Sequence, residues 1–105
     1  MKIHNKLDEI LAQGPKVKIL RFLFNNGTRF TGRAIARGAR LSVSHSYEAL
    51  QEMRREGLID AERQGNAILY SLRKGSYVVK SIIKPLFEKE KGIYEEVISV
   101  IKKFL

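Results

Sequence analysis

Apolar residues recur at helical spacing along Val17, Ile19, Leu20, Leu23 and Phe24, which predicts a core-facing helix over Lys16 to Asn25. Pro15 suits its first turn, where a backbone amide is not needed, and Asn25-Asn26-Gly27 suits its end. A shorter stripe, Leu7, Ile10 and Leu11, predicts a leading turn or two before Gly14. The next helix is predicted from a Thr31 N-cap to Ala39, with Ala34, Ile35 and Ala39 inward and Arg33, Arg37 and Arg40 along one outer face. Leu41-Ser42 breaks the pattern. Ser42 then caps a third helix, Val43 to Glu56, whose inward stripe is Ser46, Leu50 and Met53 and which stops at Gly57.

Past Gly57 the period shortens to two. Leu58 to Gln64 and Ala67 to Leu72 read as strands around Gly65-Asn66, a dipeptide suited to a tight hairpin turn, with Ile68, Tyr70 and Leu72 sharing one face. After Gly75-Ser76 the helical period returns at Val78, Val79, Ile82, Ile83, Leu86 and Phe87, where Pro85 is expected to kink or restart the helix. A last stripe, Ile93, Tyr94, Val97, Ile98, Ile101, Phe104 and Leu105, follows an expected break at Glu88 to Gly92. The predicted fold class is mainly α with a small β-hairpin (α+β), divided into a domain over 1–75 and C-terminal helices over 76–105.

Length permits one core and little more: 105 residues, 44% hydrophobic and 30% charged, do not make two ordinary domains. The absence of cysteine excludes disulfides, thiolate metal sites and a cysteine nucleophile. No signal-peptide core and no run of about 18 apolar residues is present, so the expected location is the cytoplasm, with no membrane partner.

Charge changes the picture more. The net charge is +9, and between Glu9 and Glu48 no acid opposes Lys16, Lys18, Arg21, Arg29, Arg33, Arg37 and Arg40. From Glu48 to Arg63 both signs are mixed, as on an ordinary solvated face. A basic balance of that asymmetry points to nucleic acid.

Two helices joined by a tight turn lay the second across the major groove, and a following hairpin reaches the neighbouring backbone as a wing. The recognition helix is then about 43–56, with Val43, Ser44, His45, Tyr47, Glu48 and Gln51 outward, and the wing is about 62–68, with Arg63, Gln64 and Asn66 around its turn. Lys16, Lys18, Arg33, Arg37, Arg40 and Ser42 are the expected phosphate contacts, which position the protein and make its affinity depend on salt.

Lys16-Val-Lys-Ile-Leu-Arg-Phe-Leu, Ala34-Ile-Ala, Leu41-Ser, Leu50 and Glu56-Gly-Leu-Ile-Asp stand in an order that resembles the winged helix-turn-helix of ArsR-like and MarR-like regulators. More narrowly, the chain is similar to the winged-helix module found ahead of small nucleotidyltransferase domains. The likeness covers about residues 7–74. It implies a winged helix-turn-helix plus C-terminal helices that binds double-stranded DNA as a transcriptional regulator. Many such proteins carry Arg or Lys where this chain has Glu48 and Gln51, and no cysteine or histidine metal ligands of the ArsR type are matched.

No catalytic or cofactor-binding constellation emerges, and the expectation is that the chain is not an enzyme. His45 has no Ser-His-Asp or ligand spacing around it. Gly75-Ser76 with Glu88-x-Glu90 imitates a nucleotidyltransferase signature, but the residues between them have helical periodicity and leave no room for a catalytic domain. Tyr70, Phe22, Phe24 and Phe30 read as core or its edge. The C-terminal stripes exceed what a small core needs, and an apolar stripe of that size is rarely left bare. Val79, Ile82, Ile83, Leu86, Tyr94, Val97, Ile98, Ile101, Phe104 and Leu105 are therefore expected to form a homodimer or docking surface, with folding back on the chain's own domain an equal alternative for the first stripe, Val78 to Phe87. The alternative is an interaction module, or a fragment, that docks a partner or a nucleotidyltransferase domain.

Overall fold

The structure is a computed structural model that describes residues 14–27 and 29–104. The stripe at Leu7, Ile10 and Leu11, the residue Leu105 and the side chain of Phe104 lie outside what it describes.

Helix α1, Pro15–Asn26, carries proline in its first turn and buries Ile19, Leu20 and Leu23. Gly27 ends it in the left-handed region (φ 68°), donating its N–H to Leu23 O at 3.0 Å. Strand β1, Phe30–Thr31, leads directly into α2, Gly32–Ala39, where the Thr31 hydroxyl accepts the Ala34 N–H at 3.2 Å. Helix α3, Val43–Arg55, starts in the same way: the Ser42 hydroxyl accepts the His45 N–H at 3.1 Å. Both caps stand where the sequence places them.

Strands β2, Ile59–Gln64, and β3, Ala67–Leu72, form an antiparallel hairpin with Gln64 opposite Ala67. Only two residues turn the chain, and Gly65 takes the positive φ (59°) that such a tight turn needs. The hairpin is not alone. β1 adds to the far side of β3, pairing Phe30 with Tyr70 and Thr31 with Leu69, to give the strand order β1-β3-β2. A two-residue strand has no periodicity to announce it, so only the pairing defines it.

Past β3, the Ser76 hydroxyl accepts the Val79 N–H at 3.3 Å and opens the C-terminal helix. Residues Val79–Ile83 are π-helical, with the Lys84 N–H reaching back five residues to Val79 O, and α4 continues over Lys84–Phe104. Pro85 explains the local widening, since it has no N–H to donate and its ring crowds the carbonyl four residues earlier. The break expected at Glu88 to Gly92 is absent, for α4 runs through it. Glu and Lys are good helix formers, and one glycine costs a helix about 1 kcal/mol, too little to end one that is otherwise favourable.

The core gathers Ile19, Leu23, Ile35, Leu50, Met53 and Ile59 from α1, α2, α3 and β2, none more than 2% exposed. Each such side chain contributes about 1.5–3 kcal/mol by leaving water. Tyr70 and Phe87 complete it, so the expected tyrosine in the core is there and the first part of the C-terminal helix folds back on its own domain. Val79, wholly buried, and Ile83, packed against the core, serve the chain itself. Their assignment to a surface between molecules is corrected accordingly, and residues beyond the expected boundary at 75 share the core of those before it.

Candidate nucleic-acid interface

Helices α2 and α3 are joined by only Arg40 to Ser42. Arg40 makes the turn in the left-handed region (φ 59°), its N–H shared between Ala36 O and Arg37 O. It therefore stands past the end of α2, and does not continue the row of Arg33 and Arg37 along that helix. All three arginines are exposed. None forms an ion pair with another described residue.

α3 presents two unlike faces. Ser46, Ala49, Leu50 and Met53 are buried against α1, α2 and the sheet. Val43 (57% exposed), Ser44, His45, Tyr47 (58%) and Glu48 project from its amino-terminal two turns into solvent. Tyr47 offers a ring and a hydroxyl, Ser44 and His45 offer donors and acceptors, and Glu48 accepts only. Such groups can read base edges, and the exposed end of a helix is what fits a major groove.

Gln51 departs from the expectation. It is half-buried on the side toward the sheet, donates from Nε2 to Tyr70 Oη at 3.4 Å and accepts from Arg54 Nη1 at 3.3 Å. Its amide nitrogen serves the α3–β3 contact and its oxygen a bond within α3, so it is less exposed than the outward residues. Helical spacing alone places Gln51 near the border between the faces, and only the packing of Tyr70 decides its side.

Lys16 is also occupied. Its Nζ lies 2.9 Å from Glu52 Oε2 and 3.1 Å from Glu56 Oε2, joining the start of α1 to the far end of α3. The hydrogen bond to Glu52 raises the Lys16 pKa above the ordinary lysine range, although desolvation opposes it. The same bond holds the Glu52 carboxyl below the ordinary carboxylate range. In the folded chain the amine is shared between these two carboxylates. Lys18, half-buried along α1, has no such partner among the described residues.

At the hairpin tip Arg63, Gln64 and Asn66 are exposed, and Arg63 Nε donates to Gly65 O at 3.3 Å, which keeps the guanidinium at the turn. Other arginines are used internally. Arg29 pairs with Glu62, Arg73 with Asp60 at 2.7 Å, and Arg21 with Glu90 at 2.7 Å while lying over the Phe87 ring. Five carboxylates are thus engaged with other cations, whereas Arg33, Arg37 and Arg40 have no ion-pair partner among the described residues. The sequence row of seven cations divides in space into structural and unopposed members, a sorting that needs the fold.

Among the described residues no three His, Asp or Glu side chains group as a metal site, and no helix is long and apolar enough to cross a membrane.

The chain matches no family model and no curated protein. Solved structures do resemble it. A variant of Lactococcus lactis ZitR superposes with a TM-score of 0.59 at 20% identity, over 87% of this chain and 58% of that one, so this chain spans little more than half of its length. The homodimeric winged helix-turn-helix DNA-binding domain of Mycobacterium bovis Mb0332 gives 0.58 at 21% identity, over 90% of this chain and 80% of that one. A predicted DNA-binding transcriptional regulator from E. coli gives 0.60 at 24% identity, over 89% and 90%. With its helix-turn-helix followed by a hairpin, and with these likenesses, the chain has the winged helix-turn-helix fold.

Proposed function

We propose that this chain is a sequence-specific DNA-binding transcriptional regulator acting in the cytoplasm, with the amino-terminal half of α3 in the major groove of a duplex. The observation that carries the reading is the exposure of Ser44, Tyr47 and Glu48 on the amino-terminal half of α3, in a helix-turn-helix whose exposed cations Arg33, Arg37 and Arg40 have no acidic partner among the described residues. Tyr47 and Ser44 read base edges, and the arginines of α2 and of the turn hold phosphates on either side. Glu48 accepts from a cytosine amino group and repels sites that lack one. The wing, through Arg63 and Asn66, lies along the adjacent backbone or minor groove. Two of the similar structures are described as DNA-binding proteins, which supports the same reading.

The test is binding to a random duplex pool at several salt concentrations, followed by sequencing of the bound fraction. Enrichment of one motif, with affinity falling steeply as salt rises, is the expected result. Replacing Arg33 and Arg37 together by alanine should flatten the dependence of log affinity on log salt by about 2, roughly one per lost phosphate contact. Salt-sensitive binding without enrichment would reject a sequence-specific regulator. Absence of binding would favour a winged-helix interaction module, a second reading that the exposed apolar stripe of α4 supports.

A further inference from the structure

The π-helical turn at Val79–Ile83 sets the phase of everything that follows it. An i→i+5 turn takes up one residue more than the i→i+4 turn of an α-helix, so the helix beyond it lags by about one residue, roughly 100° of rotation. Val79 and Phe87 are both interior, 0% and 3% exposed. An unbroken α-helix returns to its starting face after about seven residues. From Val79 that return falls on Leu86, with Phe87 about 80° past it. With the extra residue taken up in the π-turn, Phe87 arrives in the phase that Leu86 would hold, and Leu86 stays outside the core cluster.

The same lag decides which charge meets α1. Arg21 donates from Nε and Nη2 to the Glu90 carboxylate at 2.7 and 3.0 Å, while its guanidinium lies 5.6 Å from the centre of the Phe87 ring. Without the lag Lys89 would stand where Glu90 does and meet Arg21 as a like charge. We infer that α4 has two rotational settings one residue apart, and that Arg21 selects between them by the charge it meets. In the π setting, present in this structure, Phe87 fills the core and Glu90 holds Arg21. In the α setting the Val79–Ile83 turn closes to i→i+4 bonds, Leu86 replaces Phe87 and Lys89 replaces Glu90. Regular α-helical hydrogen bonding favours the second setting. Leucine and phenylalanine are both large and apolar, so polarity does not decide which of them the core takes. Pro85 and Arg21 favour the first. In a closed α-turn the proline ring would crowd the Ser81 carbonyl and leave it without a donor.

The rotation falls on the part of the helix after the turn. Val79 is wholly buried, and its N–H is held by the Ser76 hydroxyl just past β3, so the start of the helix stays with the sheet. The remainder of α4 then turns about a quarter-turn on its axis relative to the helix-turn-helix. In any one direction each residue is replaced by the one before it: Ile93 by Gly92, Val97 by Glu96 and Val100 by Ser99. The setting thereby decides whether α4 presents an apolar or a polar row in that direction. Two discrete packings of one sequence form a switch, not a continuous deformation. The inference rests on packing and charge within the chain, not on the proposed DNA reading.

Nuclear Overhauser contacts to the Phe24 ring, measured on the full chain, distinguish the settings, with circular dichroism to show that each variant is folded. The Phe24 and Phe87 ring centres are 5.7 Å apart, so the unmodified chain should show cross-peaks between these rings. Pro85→Ala should keep them, because Arg21 still meets Glu90. Pro85→Ala combined with Lys89→Glu and Glu90→Lys should move the contact from the Phe87 ring to the Leu86 methyls. Pro85→Ala with Arg21→Glu should do the same from the other side of the pair, and decides the matter if the charge exchange does not fold. A Phe24–Phe87 contact that persists in the charge-altered variants would overturn the inference. So would a move to Leu86 in Pro85→Ala alone, which would show that Arg21 does not select, and so would loss of both contacts in a folded chain.

Discussion

The Phe22 ring lies over the backbone of Gly38, filling the space that a β-carbon at position 38 would occupy. α1 and α2 approach closely because position 38 has no side chain, and Phe22 in turn meets Phe30 edge to face, ring centroids 4.9 Å apart.

Gly38→Ala should therefore destabilise the protein although alanine is the better helix former. On an unencumbered helix the change would gain about 1 kcal/mol. Here it forces Phe22 out of its site, and a net loss of about 1–3 kcal/mol is expected. Urea denaturation measures it. Gly38→Ala combined with Phe22→Leu should lose less than the two single changes added together, since they share one contact.

Ser46 is 1% exposed, and its hydroxyl has no hydrogen-bond partner among the described residues. A buried hydroxyl of this kind costs about 1–3 kcal/mol that its partner would ordinarily return. Ser46→Ala should raise the thermal midpoint, with a gain of about 1 kcal/mol. An unchanged or lower midpoint would mean that the hydroxyl finds an acceptor in solution.

Gln51 and Tyr47 sit one helical turn apart on α3 and should behave oppositely. Gln51→Ala removes the bond to Tyr70 Oη and should lower stability by about 1 kcal/mol while the preferred DNA motif stays the same. Tyr47→Ala should leave the urea midpoint nearly unchanged and broaden the motif recovered from the random pool. A broadened motif for Gln51→Ala would return that residue to the DNA face.

Lys16 and Glu52 make a pH-dependent link between α1 and α3. The Glu52 pKa is lowered in the folded chain, so its contribution is present above the ordinary carboxylate range and is lost as pH falls through the lowered value. The Lys16 pKa is raised, so its contribution is present below the ordinary lysine range and is lost as pH climbs through the raised value. Lys16→Met should consequently lower stability at neutral pH and make no difference in strong acid, where the carboxylates are protonated. The neutral-pH effect should shrink in high salt, because the pair is solvent-accessible. Unfolding curves of both proteins at three pH values decide it.

Much of the fold was legible in local chemistry. Thr31 and Ser42 announce the starts of α2 and α3 because a hydroxyl before a helix finds an amide within three residues, and Gly65 announces its turn because few other residues accept its φ. The stripes of α1 and α3 follow from a period that needs no knowledge of neighbours. The two-residue strand β1 and the continuity of α4 through Gly92 were not legible, since one exists by pairing and the other by the surrounding helix outweighing a single weak residue.

The candidate site divides along the same line. The amino-acid sequence by itself determined the excess of cations before Glu48, the helix-turn-helix order and the residues at the tip of α3, all of which depend on contacts within a few positions. Tertiary structure alone decided which of those residues are available. Lys16 is held by Glu52 and Glu56, which stand 36 and 40 residues away, and Gln51 is drawn to Tyr70, 19 residues away. Arg40 leaves the row of α2 because the chain must turn there. Pairing between distant charges and hydroxyls is a property of the folded arrangement, and no local pattern carries it.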